Sequence, residues 1–427
     1  MDISVKPIES LRGEIDLPGD KSISHRVVFI GGIARGRTEG KNFLKADDCM
    51  RTCAAFQKMG IEIGLRGKNV SIMGKGLKGL KDPDEILYVG NSGTTMRILP
   101  GILAGQSFSV VLTGDDSLSK RPMKRVIEPL RRMGVGITSR NTDYFPPLEV
   151  KGGRVSPVEY TTKVASAQVK SCILFAGLYA NGLTSVTEPF KSRDHTERML
   201  EFWGAKICHE KLTARVEGTH ELEGKNFFIP GDISSAAFFI AAACMLEGSE
   251  ISIRDVGLNP TRSGFLQVLK RMGADINIIK QEKSAEPYGD IRIRYARLKN
   301  TTVKEDEIPL LIDEVPVLAV VAARSEGEMI IKGISELKVK ETDRINSIAE
   351  NLKLMGVDVI PAEDRLIIRG VKERLQKAEL TSFGDHRTAM GMAVAALSAD
   401  GPCSIKDIDC VRTSFPDFFN VLDHLKK

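Results

Sequence analysis

The sequence predicts an α/β protein built from six repeats, and two patterns lead to that prediction. The first pattern is an apolar helix with a polar start, which recurs six times, beginning at Lys21, Asn91, Ser166, Ser234, Asp313 and Asp385. These starts are 70, 75, 68, 79 and 72 positions apart, and one sixth of the 427-residue chain is about 71. The regular period indicates an internal duplication.

The second pattern is a shorter helix that ends in a recurring Met-Gly or Trp-Gly phrase, at Gly60, Gly134, Gly204, Gly273 and Gly356. Glycine supplies the left-handed conformation that ends a helix, and a strand-like alternation follows each phrase. Several of these strands continue into a second strand. Each repeat therefore reads strand, helix, strand, helix and a pair of strands.

Two nearly identical Pro-Gly-Asp segments, starting at Leu17 and Ile229, divide the repeats into two groups of three. The sixth repeat ends in a helix with no strand after it, whereas an unmatched extended segment opens the chain. We therefore predict an N-terminal domain of residues 21–235 (repeats 1–3). Residues 236–427 (repeats 4–6), completed by residues 1–20, form the predicted C-terminal domain, and the Pro-Gly-Asp segments act as crossovers or hinges.

Periodicity also predicts the layers. The first helix of each repeat is apolar nearly all round, which argues for burial between layers, whereas the second helices are amphipathic and should lie outside.

The composition is that of a globular protein, with 42% hydrophobic and 27% charged residues and a net charge of 61 minus 56, or +5. The longest apolar run, 236–246, is shorter than the ~18 residues that indicate a membrane span. The seven cysteines form no C-x-x-C pair, which fits a reducing cytoplasm. With 6% aromatic residues the chain offers little for stacking on bases, so we expect small anions rather than nucleic acid as partners.

The starts of the apolar helices carry the best candidates for ligand-binding residues, because free N–H groups at helix N-termini attract phosphate and carboxylate groups. Helix capping alone explains the Ser, Asn and Asp residues at these starts. It does not explain Lys21, Gln168 and Arg387. For these three residues a structural and a functional role are equally compatible with the sequence.

Two charged segments, GDDSLSKRPMKR from Gly114 and ELKVKETDR from Glu336, follow strand-like runs, and such segments are usually solvated surface. Helical spacing would place Lys340, Glu341 and Arg344 on one face. Asp313 could add a second carboxylate. Two carboxylates in a cationic pocket suit an acid/base pair, but two structural ion pairs would have the same sequence signature.

Six motifs, in chain order, resemble those of the 5-enolpyruvylshikimate-3-phosphate synthase family: PGDKSISHR, GNSGTTMR, GDDSLSKRPM, SAQVKS, ELKVKETDR and GDHRTAM. The resemblance covers the whole chain. It implies two similar domains, each of three βαβαββ repeats in an inside-out α/β barrel, with the active site in the cleft between domains. It also implies transfer of the enolpyruvyl group of phosphoenolpyruvate to the 5-hydroxyl of shikimate 3-phosphate, with no metal or organic cofactor.

The resemblance further implies the site residues. The expected shikimate 3-phosphate ligands are Lys21, Ser22, Arg26, Ser166, Ala167, Gln168, Arg193, Asp313 and Lys340. The expected phosphoenolpyruvate ligands are Lys21, Asn91, Gly93, Thr94, Arg121, Gln168, Glu341, Arg344, His386 and Arg387. Glu341 is the candidate acid and Asp313 the candidate base, with His386 also in the catalytic group. Lys21 either stabilises the phosphate bridge or donates a proton.

One position departs from the family pattern. Many members have a lysine shortly before the C-terminal FPD-like motif, where this chain has Thr413. Either a phosphate contact is absent or Arg412 replaces it.

Gly93, rather than alanine, leaves room for a phosphoenolpyruvate mimic such as glyphosate, so we expect a glyphosate target. We also expect a monomer in the cytoplasm without membrane or nucleic-acid partners.

Three alternatives compete with this family. The related UDP-N-acetylglucosamine enolpyruvyl transferases use a loop cysteine in the N-terminal half, and this chain has no cysteine between Cys53 and Cys172. RNA 3′-terminal phosphate cyclases share the repeat architecture but need a nucleotidylated histidine and a nucleic-acid surface. A non-enzymatic scaffold of the same repeats would show no turnover.

Overall fold

The computed structural model describes residues 1–140, 144–282 and 284–426, which form two compact units. The N-terminal unit is Gly19–Ile229, and the C-terminal unit is Met1–Pro18 with Pro230–Lys427. The second boundary lies six residues before the predicted limit of 235. Helix capping explains this difference, because Asp232 accepts a hydrogen bond from the backbone N–H of Ser234 and starts a helix that lies wholly in the C-terminal unit.

The strands and helices of the N-terminal unit alternate in the predicted way. Its strands are β3 (Arg35–Lys41), β4 (Glu62–Arg66), β5 (Asn69–Lys75), β6 (Leu87–Tyr88), β7 (Ser109–Thr113), β8 (Gly136–Ser139), β9 (Leu148–Lys151), β10 (Glu159–Thr161), β11 (Leu183–Thr187), β12 (Ile207–Glu210), β13 (Thr213–Glu217) and β14 (Asn226–Phe228). Its helices are α1 (Lys21–Ile33), α2 (Asp47–Lys58), α3 (Gly93–Leu103), α4 (Asp116–Ser119), α5 (Lys124–Arg132), α6 (Ala167–Gly177) and α7 (His195–Phe202).

The C-terminal unit repeats the plan. Its strands are β1 (Ile3–Val5), β2 (Arg12–Asp16), β15 (Glu250–Gly257), β16 (Asp275–Glu282), β17 (Tyr288–Arg294), β18 (Thr302–Val303), β19 (Glu328–Lys332), β20 (Asp358–Pro361), β21 (Arg365–Arg369), β22 (Glu379–Thr381) and β23 (Cys403–Lys406). Its helices are α8 (Ile233–Met245), α9 (Gly264–Arg271), α10 (Val315–Ala323), α11 (Arg344–Leu354), α12 (His386–Ala396) and α13 (Phe418–Leu425). Within the described residues, no helix is long and apolar enough to cross a membrane.

The predicted α/β class and the βαβαββ repeat are confirmed. In the second repeat, β6 pairs parallel with β7 on either side of α3, and β9 joins β7 and β8 through antiparallel pairs. The sheet order is therefore β6-β7-β9-β8, and the third and fifth repeats have the same order. Six sheets form in this way among residues 1–140, 144–282 and 284–426.

Strand exchange links the first and fourth repeats. β2 precedes α1 in the chain but pairs parallel with β15, and β14 precedes α8 but pairs parallel with β3. At the other end, β1 pairs antiparallel with β23, where the sixth repeat has no strand of its own after α13. Each crossover of the chain between units therefore falls between a strand and the helix that follows it.

The first helix of each repeat is buried on all sides, as its composition predicts. In α8 every residue is buried, and in α1 the residues from Ile23 to Ile33 are buried. Within the N-terminal unit α3 packs against α6, and within the C-terminal unit α10 packs against α8 and α12. These helices form the core of each unit.

The second helix of each repeat has one buried face. In α5, Val126, Ile127 and Leu130 are buried whereas Arg131 and Arg132 are exposed. The glycines predicted to end these helices have φ angles of 81 to 97°, at Gly60, Gly134, Gly204, Gly273 and Gly356. The left-handed helix ends are therefore confirmed.

Gly101 in α3 tests how closely the core helices pack. A Cβ atom at this position would lie 2.1 Å from the carbonyl oxygen of Cys172 in α6. Gly101→Ala should therefore destabilise the N-terminal unit by about 1–3 kcal/mol, although alanine is the better helix former. Urea unfolding followed by the fluorescence of Trp203, the one tryptophan of the chain, measures this effect.

Gly391 in α12 is the matched control. A Cβ there meets its nearest neighbour, in Pro316, at 3.8 Å, which is an ordinary contact. Gly391→Ala should leave the free energy of unfolding unchanged or raise it by up to about 1 kcal/mol, as measured by urea unfolding followed by circular dichroism. Equal stability of Gly101→Ala and the parent protein would contradict the close packing of α3 on α6.

Candidate active site

The predicted helix starts of the N-terminal unit combine capping residues with side chains that do not cap. Asp20, Ser92 and Ser166 cap α1, α3 and α6 by accepting hydrogen bonds from backbone N–H groups in the first turn. Lys21 and Gln168 stand next to these caps and make other contacts. Capping therefore accounts for the small polar residues at the helix starts but not for the longer ones.

Direct hydrogen bonds join the starts of α3 and α6. Gln168 Nε2 donates to Thr94 Oγ1 over 3.3 Å, and Gln168 Oε1 accepts from the Arg97 guanidinium over 3.0 Å. A Cβ atom at Gly93 would lie 2.9 Å from Arg97 and 3.4 Å from Arg121. Glycine at this position therefore leaves space between two guanidinium groups. The sequence analysis did not identify Arg97.

The segment that follows β7 belongs to the same cluster rather than to a solvated face. Arg121 is 7% exposed and donates to Asn91 Oδ1 over 2.7 Å and to Ser117 Oγ over 3.1 Å. Asn91 Nδ2 in turn donates to Asp115 Oδ2 over 2.8 Å. Asp115, which was also missed, orients the amide so that its oxygen faces Arg121.

Lys21 forms an ion pair with a residue of α2, Asp48. Its ammonium lies 3.1 Å from Asp48 Oδ2, in an ion pair whose side chains are 18% and 14% exposed. Asp48 is another residue that the sequence analysis did not single out.

A chain of buried hydroxyl groups starts at His25, four residues after Lys21 in α1. His25 Nδ1 is 2.7 Å from Thr52 Oγ1, which is 2.7 Å from Thr95 Oγ1, which is 2.8 Å from Ser92 Oγ. These contacts connect α1, α2 and the start of α3. Burial, followed by the charges of Lys21 and Arg26, holds the pKa of His25 well below its usual value, so the ring is neutral.

Arg26, a predicted ligand, is largely occupied by protein groups. It is 3% exposed, and its three nitrogens donate to Thr196 Oγ1 (2.7 Å), Ser171 Oγ (2.9 Å) and the carbonyl oxygen of Ser22 (2.9 Å). Arg26 therefore fixes Ser22 relative to α6 and α7. Arg193 lies in the segment before α7 and is half-buried.

Arg344 is the centre of the cluster in the C-terminal unit. Its Nε donates to Asp385 Oδ2 over 2.7 Å, one terminal nitrogen donates to Glu341 Oε2 over 2.7 Å, and the other donates to Asp313 Oδ1 over 3.4 Å. Burial opposes the charge on Arg344, but Asp385, Glu341 and Asp313 outweigh it and raise its pKa. Among the described residues, no group of three or more His, Cys, Asp or Glu side chains could hold a metal ion.

Arg387, near the start of α12, also contacts Asp313. It donates to the Asp313 carbonyl oxygen over 3.1 Å and lies 3.6 Å from the carboxylate and 3.9 Å from that of Glu314. Asp385 caps the same helix by accepting from the backbone N–H groups of Arg387 and Thr388. One carboxylate thus orients Arg344 and fixes the start of α12.

The predicted helix at Lys340 is wrong. α11 begins at Arg344 because Asp343 caps it, accepting hydrogen bonds from the N–H groups of Ile345 and Asn346. Lys340 and Glu341 precede this helix, outside regular structure, so they do not share a helix face with Arg344. Glu341 nevertheless reaches Arg344 from the loop.

Thr413, the departure from the family pattern, lies beside the site. Its hydroxyl is 3.5 Å from His386 Nδ1 and donates to the carbonyl oxygen of Cys410 over 2.7 Å. The neighbouring Arg412 is exposed. At the position where many family members carry a lysine, this chain therefore places a hydroxyl group beside His386.

Comparisons with known proteins agree with this arrangement. A family model described as EPSP synthase (3-phosphoshikimate 1-carboxyvinyltransferase) matches residues 5–422. The chain belongs to the EPSP synthase family. The match decides against the two other families with the same repeat architecture that the sequence analysis considered.

Relatives and solved structures in the EPSP synthase family match over nearly the full length. The 3-phosphoshikimate 1-carboxyvinyltransferase of Bacillus velezensis is 49% identical over 421 residues, 98% of each chain. That of Desulforamulus reducens is 49% identical over 424 residues, 99% of each chain. The EPSP synthase structure from Acinetobacter baumannii has a TM-score of 0.90 at 43% identity, covering 100% of this chain and 98% of that chain.

The neutral His25 gives a pH-dependent prediction. In the unfolded chain this histidine binds a proton below about pH 6.5, whereas in the folded protein it does not. The unfolded state then binds more protons, so stability should fall as the pH drops below 6.5. Between pH 7.5 and 5.5 the parent protein should lose about 1 kcal/mol more than a His25→Asn variant, which keeps a polar atom near the Nδ1 position.

Urea unfolding of both proteins at the two pH values, followed by Trp203 fluorescence, measures this difference. Other groups that titrate in this range contribute equally to both proteins and cancel in the comparison. The same pH dependence in the variant and the parent would show that His25 is not held neutral by the fold.

Proposed function

We propose that this chain transfers the enolpyruvyl group of phosphoenolpyruvate to the 5-hydroxyl of shikimate 3-phosphate and releases inorganic phosphate through a tetrahedral intermediate. The observation that carries the proposal is the contact of Arg344 with two carboxylates, Asp313 and Glu341, beside a second arginine, Arg387. Two carboxylates held at a pair of cations suit a reaction that needs a proton donor, a proton acceptor and anion binding.

The negative charge of the two substrates explains why the proposed ligand sets contain several basic residues. Each substrate carries one phosphate and one carboxylate, roughly −5 to −6 in total at ~1.5–2 per phosphate. Planar guanidinium groups bind both kinds of anion through paired hydrogen bonds. We assign phosphoenolpyruvate to Arg121, Arg344 and Arg387, with the wider ligand sets as the sequence analysis gives them.

The proton transfers that the reaction requires suggest a role for each carboxylate. The methylene carbon of phosphoenolpyruvate gains a proton while the 5-hydroxyl loses one and attacks the adjacent carbon; loss of a proton and of phosphate from the adduct restores the double bond. We assign Asp313, which lies beside both Arg344 and Arg387, as the base. Glu341, in the loop before α11 and 24% exposed, is the acid.

Lys21 has an electrostatic role in this proposal. Its ammonium, oriented by the ion pair with Asp48, supplies positive charge to the bridging phosphate oxygen as the C–O bond breaks. His386 lies at the start of α12 and contributes a second polar group toward phosphoenolpyruvate. Gly93 leaves space beside Arg121, so a small mimic such as glyphosate should compete with phosphoenolpyruvate.

We also propose that the chain acts as a monomer in the cytoplasm, without nucleic-acid partners. Each unit buries a core of its own. All seven cysteines are free thiols, which suits a reducing compartment.

Phosphate release tests the activity directly. Purified protein should release phosphate from phosphoenolpyruvate only when shikimate 3-phosphate is present. UDP-N-acetylglucosamine in its place is the control and should support no release. A folded protein that releases no phosphate with shikimate 3-phosphate would refute the proposed function.

Removal of the candidate base should abolish most turnover. Asp313→Ala should lower kcat by about 10²-fold or more, as expected for the loss of a general base. The main-chain carbonyl that holds Arg387 is retained in this variant. Circular dichroism verifies folding, and near-normal kcat in folded protein would contradict the assignment.

Asp385, which touches Arg344 but not the proposed reacting groups, should act through positioning. Asp385→Asn keeps an oxygen to cap α12 but loses the negative charge at the Arg344 Nε. The KM for phosphoenolpyruvate should rise about tenfold, because a buried ion pair of this kind orients the guanidinium. An unchanged KM for phosphoenolpyruvate would contradict this role.

A further inference from the structure

Glu188 makes more directed contacts than the sequence analysis or the proposed mechanism explains. It follows β11 and is 2% exposed. One carboxylate oxygen accepts from the backbone N–H of Ser166 over 3.0 Å. The other accepts from Lys170 Nζ over 2.7 Å and from Ser192, through its hydroxyl at 2.8 Å and its backbone N–H at 3.4 Å.

The partners of Glu188 each stand beside a proposed ligand. Ser166 caps α6 and immediately precedes Ala167 and Gln168. Ser192 immediately precedes Arg193 in a different segment of the chain. A single carboxylate therefore ties the start of α6 to the segment that carries Arg193.

Lys170 stabilises this carboxylate. It is 2% exposed and lies between Glu188 (2.7 Å) and Glu197 (2.8 Å). Burial opposes its charge, but Glu197 and Glu188 outweigh burial and raise the pKa of Lys170. Both oxygens of Glu188 accept hydrogen bonds in these contacts, one of them from the Lys170 ammonium.

The repeat shows that a lysine at this position is not required by the fold. Lys170 lies four residues after the cap of its helix. The corresponding residues in the other five core helices are uncharged, namely Ser24, Met96, Ala236, Leu318 and Ala389. A buried ion pair is also a poor source of stability compared with apolar packing. The pair therefore calls for a reason specific to the third repeat.

We propose that Glu188 is a positioning residue for shikimate 3-phosphate, because its two oxygens set the spacing between the start of α6 and the segment that carries Arg193. This inference rests on the proposed function. Small displacements of ligand-binding groups weaken binding when their supporting contacts are lost. Glu188 does not touch the reacting groups, and of the ligands beside its partners only Gln168 is shared with phosphoenolpyruvate, so its loss should weaken shikimate 3-phosphate binding more than phosphoenolpyruvate binding.

Glu188→Gln is the direct test. Glutamine has the same shape and can still accept from Ser166, but its NH2 group cannot accept from Ser192 or Lys170. The Kd for shikimate 3-phosphate, measured by calorimetry without phosphoenolpyruvate, should rise about tenfold, equivalent to about 1.4 kcal/mol. The KM for phosphoenolpyruvate should change by less than about twofold. An unchanged Kd in folded protein would overturn the proposal.

Glu197→Gln is the matched control, because it removes the other carboxylate from Lys170 and leaves the contacts of Glu188 in place. It should keep the Kd for shikimate 3-phosphate within about twofold of the parent value. A loss as large as that of Glu188→Gln would overturn the proposal, since the charge balance around Lys170 would then explain both results.

A Glu188→Gln, Lys170→Met double variant separates positioning from charge burial, since it no longer contains an unbalanced lysine. It should bind shikimate 3-phosphate as weakly as Glu188→Gln, and restoration of the parent Kd would overturn the proposal. If Glu188→Gln does not fold, Ser192→Ala removes one of the same hydrogen bonds and should raise the Kd about threefold. An unchanged Kd in that variant would equally overturn it.

The parent protein separates failure of this inference from failure of the proposed function. If it neither binds shikimate 3-phosphate nor releases phosphate, both are refuted. If it does both and the variants bind normally, only the positioning role is refuted.

Discussion

Beyond their first two turns the core helices are apolar on all sides, and this constraint determines where chemistry can occur in each unit. A helix such as α8, in which every residue is buried, has no face available for a polar site. Polar side chains can stand only at its ends, and the N-terminal end also provides free N–H groups and the positive end of the helix dipole. Six repeats of the same helix therefore provide six such starts, and the side chains at each start decide whether an anion can bind there.

A second constraint follows from placing cations at these partly buried starts. An unpaired buried charge is very costly, so each cation needs a carboxylate or several hydrogen-bond acceptors. The structure meets this need with acidic residues from a neighbouring helix or strand: Asp48 for Lys21, Asp385 for Arg344 and Glu188 for Lys170. These acids orient the bases as well as neutralise them.

The fold could be predicted because its signals are local. Gly60 and Gly356 end helices in the left-handed conformation that their position after Met predicts. The candidate site was predicted only in part, since capping residues and motif positions are visible in the sequence but their partners are not. Arg344 and Asp385 are 41 residues apart, and only the folded chain shows which carboxylate Arg344 contacts. The helix predicted over Lys340 failed for a local reason, because Asp343 caps α11 at a later residue.

The structure also shows that not every basic side chain in the motifs is fully available to bind a substrate anion. Counting Arg26 among the cations for two anionic substrates treats it as available, yet all three of its guanidinium nitrogens donate to protein oxygens and it is 3% exposed. Arg344 likewise touches three carboxylates. A substrate anion at either residue must share the cation with groups already in place. The net attraction for anions is therefore smaller than the count of bases suggests, and the geometry that the acidic residues impose accounts for more of the selectivity.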